Sequence, residues 1–194
     1  AKKYEEIGQK VREILWVSIA LGLIGFILYR NLSFFIPFFD IDENIALISD
    51  GYLKAMSYGF IANMVFTCLR CYSEGMGLTL PVFWVAFIGM LLNIPLDIIF
   101  VYGYFGIPPM GGIGCGIATS INIVIGVIVL VLVILKKKEY TPTKIFSSFS
   151  PPNSETTKEA LKLGMPIGFG VFVELSMFSG AALILGSLGS TVIS

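Results

Sequence analysis

Five long apolar runs, divided by short polar or glycine-rich breaks, set the pattern of this chain. They cover roughly residues 14–39, 45–69, 78–104, 113–135 and 161–185. Each is long enough to cross a bilayer as a helix, which takes about 20 residues. The apolar positions are continuous rather than alternating, so a β-barrel is excluded. Lipid leaves backbone groups unsatisfied outside helices and closed barrels, so helical crossings are predicted. The fourth run is the cleanest, with no charge between Asp97 and Lys136.

Polar residues inside these runs are the candidate chemistry. From Leu163 onward the chain is apolar or small except for Glu174. A carboxyl near the middle of a spanning helix costs roughly 2.5–3.5 kcal/mol on insertion scales. It persists where it faces a polar interior, a partner or an ion, so a proton or cation site is expected. The bland alternative is a protonated acid bonded to a neighbouring helix. Pro166 and Gly168 precede Glu174, and predict a kink beside a polar cavity.

Asn93 and Asp97 lie four residues apart and so share one helix face. Pro95 between them predicts a kink and a freed carbonyl near residue 91. Such a face suits a small cation. The alternative is an outer-end Asp97 in headgroup water, with Asn93 bonding between helices. Thr119 opens the fourth run after Gly111, Gly112, Gly114 and Gly116, which permit close helix approach. Its hydroxyl is a candidate addition to a carboxylate site. The aromatic residues Tyr58, Phe60 and Phe66 are candidates to line a cavity for flat cations.

Composition agrees with a membrane protein. The 194 residues are 56% hydrophobic and 13% charged, against about 25% charged in soluble domains. Mean hydropathy is +0.87. Net charge is zero, so no basic footprint for nucleic acid exists. Histidine is absent, which removes imidazole metal ligands and the commonest general base. No cofactor and no enzyme activity are expected. Cys68 and Cys71 have the spacing of a redox or zinc pair, but a second pair is lacking, so free thiols are expected.

Lysine and arginine give a topology. Lys2, Lys3, Lys10 and Arg12 precede the first run, and Arg70 follows the second. Lys136, Lys137, Lys138, Lys144, Lys158 and Lys162 lie between the fourth and fifth. With alternating crossings all of these share one side, leaving Arg30 and Lys54 near the other. The positive-inside rule makes the basic side cytoplasmic. The acidic residues 40–43 and the loop 103–112 then face outward. Residues 136–158 are rich in Lys, Pro, Ser and Thr and read as a cytoplasmic linker, with Asn153 or Ser154 capping the next helix. The expected organisation is a four-helix part at 1–135, the linker at 136–158, and the first helix of a second part at 159–194. The polar start, apolar end and odd number of runs suggest a piece of a longer polypeptide, whose remaining helices are then expected partners along with the lipid bilayer.

These motifs in order resemble a known family. Leu69, Arg70, Glu74, Gly75, Met76, Gly77 and Pro81 come first. Asn93, Ile94, Pro95, Leu96 and Asp97, then Val101, Tyr102 and Gly103, follow. The glycines at 111, 112, 114 and 116 lead to Ala118 and Thr119, and Leu163, Gly164, Met165, Pro166, Ile167 and Gly168 lead to Glu174. The combination resembles the multidrug and toxic compound extrusion (MATE) family, in its NorM-like branch.

The resemblance implies an all-α polytopic membrane protein. Its five transmembrane helices would be the third to seventh of a twelve-helix, two-lobe transporter. It implies a bacterial inner-membrane antiporter that exports cationic or amphipathic compounds against Na⁺ or H⁺. It implies a coupling role for Glu174 and a cation site at Asn93, Asp97 and Thr119, with acidic residues of the first and tenth helices outside this chain. A related flippase of lipid-linked or polyprenyl-linked substrates is the alternative.

Overall fold

A computed structural model describes residues 2–32, 34 and 42–187. Among the described residues there is no strand. The long helices are α1 (Lys2–Asn31), α2 (Glu43–Gly75), α3 (Thr79–Tyr102), α4 (Gly112–Lys136) and α5 (Ser154–Ser187). A short 3-10 helix spans Lys138–Thr143. The end of the first apolar run, and residues 40 and 41 of the acidic turn, lie outside the described residues.

Each helix sits where an apolar run was expected, but most extend past it. α1 begins at Lys2, twelve residues before the run at 14, because its polar first turns continue the helix beyond the apolar stretch. α2 runs on to Gly75, and Arg70 and Glu74 pair along it at 3.4 Å. α1, α3, α4 and α5 are long and apolar enough to cross a membrane by length and composition. α2 has the length, at 33 residues, but carries Asp50 and Lys54. Those two pair at 2.7 Å, one turn apart. It packs between α1 and α4, with α3 on the far side of α4.

The chain divides into two compact units, residues 1–152 and 153–194. In the first, the buried apolar core gathers at one end of the bundle. Val11 near the start of α1, Leu69 and Tyr72 near the end of α2, Val82 and Val85 near the start of α3, and Leu130 and Ile134 near the end of α4 form it. Starts and ends alternate, so the four helices run antiparallel in turn. Lys10, Arg12, Arg70, Lys136 and Lys137 stand at this same end. Elsewhere large side chains such as Ile27, Leu28, Phe83, Trp84, Leu91 and Ile94 are exposed. That is the outward apolar surface a lipid-facing bundle needs.

Residues 137–150 form a strap closed over the core end. Tyr140 and Ile145 join the core, and Tyr140 is almost wholly buried. The Tyr72 and Thr143 hydroxyls bond at 2.8 Å. Arg12 donates to Ser150 Oγ at 2.9 Å and to the Lys144 carbonyl at 2.8 Å, and Trp16 Nε1 donates to the Ser150 carbonyl at 3.1 Å. Lys144 pairs with Glu5 at 2.7 Å. This part of the expected linker is therefore folded onto α1 and α2. α5 starts at Ser154, just beyond Asn153, whose Oδ1 accepts the Glu155 N–H at 2.9 Å.

Small residues set the helix spacing. Gly116 lies against Tyr52 and Ala55, and Gly114 against the Phe100 backbone. Gly59 faces Ser120, whose Oγ donates to the Ala55 carbonyl at 2.9 Å. A Cβ on Gly59 would stand 2.7 Å from Ser120 Oγ and 3.0 Å from its Cα. Relief requires a backbone shift. Gly59→Ala is expected to destabilise the full-length protein by about 1–3 kcal/mol. Gly75→Ala, which meets nothing within 4 Å, should be neutral or slightly stabilising. Thermal unfolding of both variants in detergent checks the pair.

Candidate functional site

The polar groups of α3 and α4 meet in one place. α3 stays helical through Pro95, so Asn93 and Asp97 do share a face. Asn93 Nδ2 donates to Asp97 Oδ2. From α4, Asn122 Nδ2 donates to Asn93 Oδ1 at 3.2 Å. The result is a three-membered chain crossing the α3–α4 interface. Cys115, on the first turns of α4, stands beside both Asp97 and Thr119. Thr119 is one turn further along α4, beside Cys115.

Two oxygens in this cluster are buried and have no hydrogen-bond partner among the described residues: Asp97 Oδ1 and Asn122 Oδ1. Such groups cost roughly 1–3 kcal/mol each, more when charged, so each calls for an explanation such as a bound water or ion. A carboxylate oxygen is a hard donor. It suits a small hard cation or a proton rather than a soft metal. Among the described residues no three Cys, Asp or Glu side chains converge as a metal cluster would require.

The other expected residues fall elsewhere. Glu174 lies in the apolar part of α5, two turns beyond Pro166, with an exposed side chain. The helix continues through Pro166 and Gly168 without a break. Phe66 lines a cavity of about 170 Å³ with Asn63, Met90 and Asn122. Tyr58 instead accepts from Arg30 at 3.1 Å, and Phe60 packs on Tyr29. The three cysteines are free thiols.

Asn122 is the residue that sequence reasoning passed over. It is uncharged, and it sits in a run that is otherwise Ile, Val, Leu and Gly from 121 to 135. That isolation was the available signal, together with its i+3 spacing from Thr119.

Comparison with known proteins decides the family. The MatE family model matches residues 1–99, about half of the chain. This chain belongs to the MatE family. The multidrug resistance protein NorM of Vibrio cholerae serotype O1 is 38% identical over 180 residues, covering 93% of this chain and 39% of that protein. A probable multidrug resistance protein NorM of Acinetobacter baylyi is 35% identical over 193 residues, covering 100% of this chain and 43% of that protein. The NorM of Photobacterium profundum is 37% identical over 191 residues. The chain thus spans about two fifths of the length of these curated relatives. MatE proteins are polytopic membrane transporters, not enzymes, and the all-helical, lipid-faced architecture agrees with that.

Asn93 holds both ends of the polar chain. Asn93→Ala leaves the Asp97 carboxylate without its donor and the Asn122 amide without its acceptor. The expected cost is about 1–3 kcal/mol, read as a lowered unfolding temperature of the full-length MatE protein in detergent.

Proposed function

We propose that the full-length polypeptide is a cation-coupled multidrug antiporter of the bacterial inner membrane. It exports cationic or amphipathic compounds by alternating access in exchange for Na⁺ or H⁺. The observation that carries this reading is the Asp97 carboxylate. It lies inside a spanning helix, oriented through Oδ2 by Asn93, with a buried Oδ1 that meets no hydrogen-bond criterion among the described residues and the Cys115 thiol beside the carboxylate. The printed names of the NorM relatives support the export of drugs.

The coupling follows from the site's chemistry. A cation or proton at Asp97 Oδ1 neutralises a buried charge, with the Thr119 hydroxyl as a further oxygen donor. Glu174 is the second coupling carboxylate, in the other unit. Coupling requires that ion and drug bind the two orientations of the transporter with different affinity. A tenfold difference corresponds to about 1.4 kcal/mol, less than the cost of leaving a buried carboxylate uncompensated.

The test is drug efflux from cells or vesicles carrying the full-length protein, titrated against external Na⁺ and against pH. Glu174→Gln and Asp97→Asn retain shape and remove the titrating charge. Both are expected at near-normal expression. Glu174→Gln should abolish efflux, and Asp97→Asn should weaken its ion dependence at least tenfold. Wild-type titration curves in both variants would refute the reading.

The basic core end and its strap are cytoplasmic in this reading. Ser147 is exposed on the strap. A cysteine placed there, with the native cysteines removed, should resist a membrane-impermeant thiol reagent in intact cells and react once they are opened. Labelling from outside would reverse the orientation.

A further inference from the structure

The strap carries two large apolar side chains that the bundle does not bury. Phe146 is 46% exposed and Phe149 is 79% exposed. Both lie outside the spanning helices, in a segment otherwise rich in Ser, Thr and Lys. With Leu15, Trp16 and Ile19 of α1 they line an open cavity of about 440 Å³. Trp16 is anchored there. Its Nε1 donates to the Ser150 carbonyl, and its ring meets Phe149 edge-on at 6.0 Å. An indole near the start of an apolar run, with its N–H on a polar group, is typical of the headgroup level of a bilayer.

A second cavity of about 450 Å³ adjoins the first, and Arg12 and Ser148 line both. Glu5, Glu6, Gln9, Thr143 and Lys144 form its other walls. Glu5 and Lys144 pair with each other at 2.7 Å. Glu6 has no ion-pair partner among the described residues. Arg12 gives one N–H to Ser150 Oγ and one to the Lys144 carbonyl, out of five. One guanidinium and one carboxylate thus stay open to a ligand. Glu6 repels a lone anion and Arg12 repels a lone cation, whereas a headgroup that carries both charges satisfies both.

We propose that the paired cavities hold one phospholipid with an ethanolamine headgroup. Its phosphate takes the remaining Arg12 N–H groups and the Ser148 hydroxyl, and its ammonium meets Glu6. An acyl chain lies along Trp16, Ile19, Phe146 and Phe149. Because Arg12 belongs to α1 and Ser148 to the strap, the bound lipid fastens one to the other. The site lies within the first unit and is independent of any coupling role for Asp97.

Trp16 is the reporter for the test. The full-length protein in detergent carries Trp84→Phe, with any tryptophan outside this chain also replaced. It is titrated with lipids whose brominated acyl chains quench an indole on contact. Phosphatidylethanolamine should quench Trp16 saturably, at a half-saturating concentration about tenfold below that of phosphatidylglycerol. Glu6→Gln should bring the two lipids to nearly the same value. Glu6 is exposed, so the unfolding temperature of that variant should stay unchanged. Equal half-saturation in the unsubstituted site means an ordinary lipid belt and overturns the inference. Tighter quenching by phosphatidylglycerol means a simple anionic-lipid patch and overturns it as well. So does a preference for ethanolamine that survives Glu6→Gln.

Discussion

Hydrocarbon offers no hydrogen bonds, and that constraint shapes every level of this structure. The backbone answers it by forming long helices, in which each segment satisfies its own N–H and carbonyl groups. Side-chain hydroxyls answer it locally. Ser18 bonds back to the Ile14 carbonyl, Thr67 to Asn63 and Ser73 to Leu69, each one turn earlier. Ser120 answers it across helices, on the Ala55 carbonyl. Against this background a buried oxygen without a partner is a departure. The Asp97 cluster holds two of them. Tyr140 in the strap has another such hydroxyl, but only the Asp97 cluster brings two of these oxygens together on facing helices among the described residues.

Close helix approach is the means by which these polar groups meet. Gly114 lets α4 touch the backbone of α3 at Phe100, and that contact lies beside the level of Asp97. The loop after α3 reinforces it. Gly103 adopts φ 79° and closes the helix on the Ile99 carbonyl, and the Met110 and Gly111 N–H groups return to the Phe100 and Val101 carbonyls. The end of α3 is thus tied to the start of α4 by backbone bonds. Asn93 and Asp97 on α3, and Cys115, Thr119 and Asn122 on α4, are held in register by this tie.

The helices and their order were legible in the sequence because apolar length is a strong signal and lipid allows few architectures. Helix ends were less legible. Hydropathy reports where a span leaves the hydrocarbon, while the helix ends where its capping groups stop it. Lys2 to Arg12 is therefore helical though polar, whereas the start of α5 was legible because the Asn153 cap is itself a sequence signal. The strap was hidden for a related reason. Its Pro, Ser, Thr and Lys content suggests a tether, and only Tyr140 and Ile145 signal that it packs. At the site, Asn93, Asp97 and Thr119 stood out by charge, spacing and a neighbouring proline. Asn122 did not, because a lone carboxamide carries no charge to betray it. Its meaning comes from a contact 29 residues away in sequence.

The two oxygens of Asp97 are in different surroundings, and the proposed antiporter would use that difference. One oxygen accepts from Asn93, which orients the group, and the other meets no hydrogen-bond criterion among the described residues, with the Cys115 thiol beside the carboxylate. In the proposed antiporter, occupancy of that one oxygen would change the charge of the α3–α4 interface while the Asn93 and Asn122 bonds that cross it stay in place.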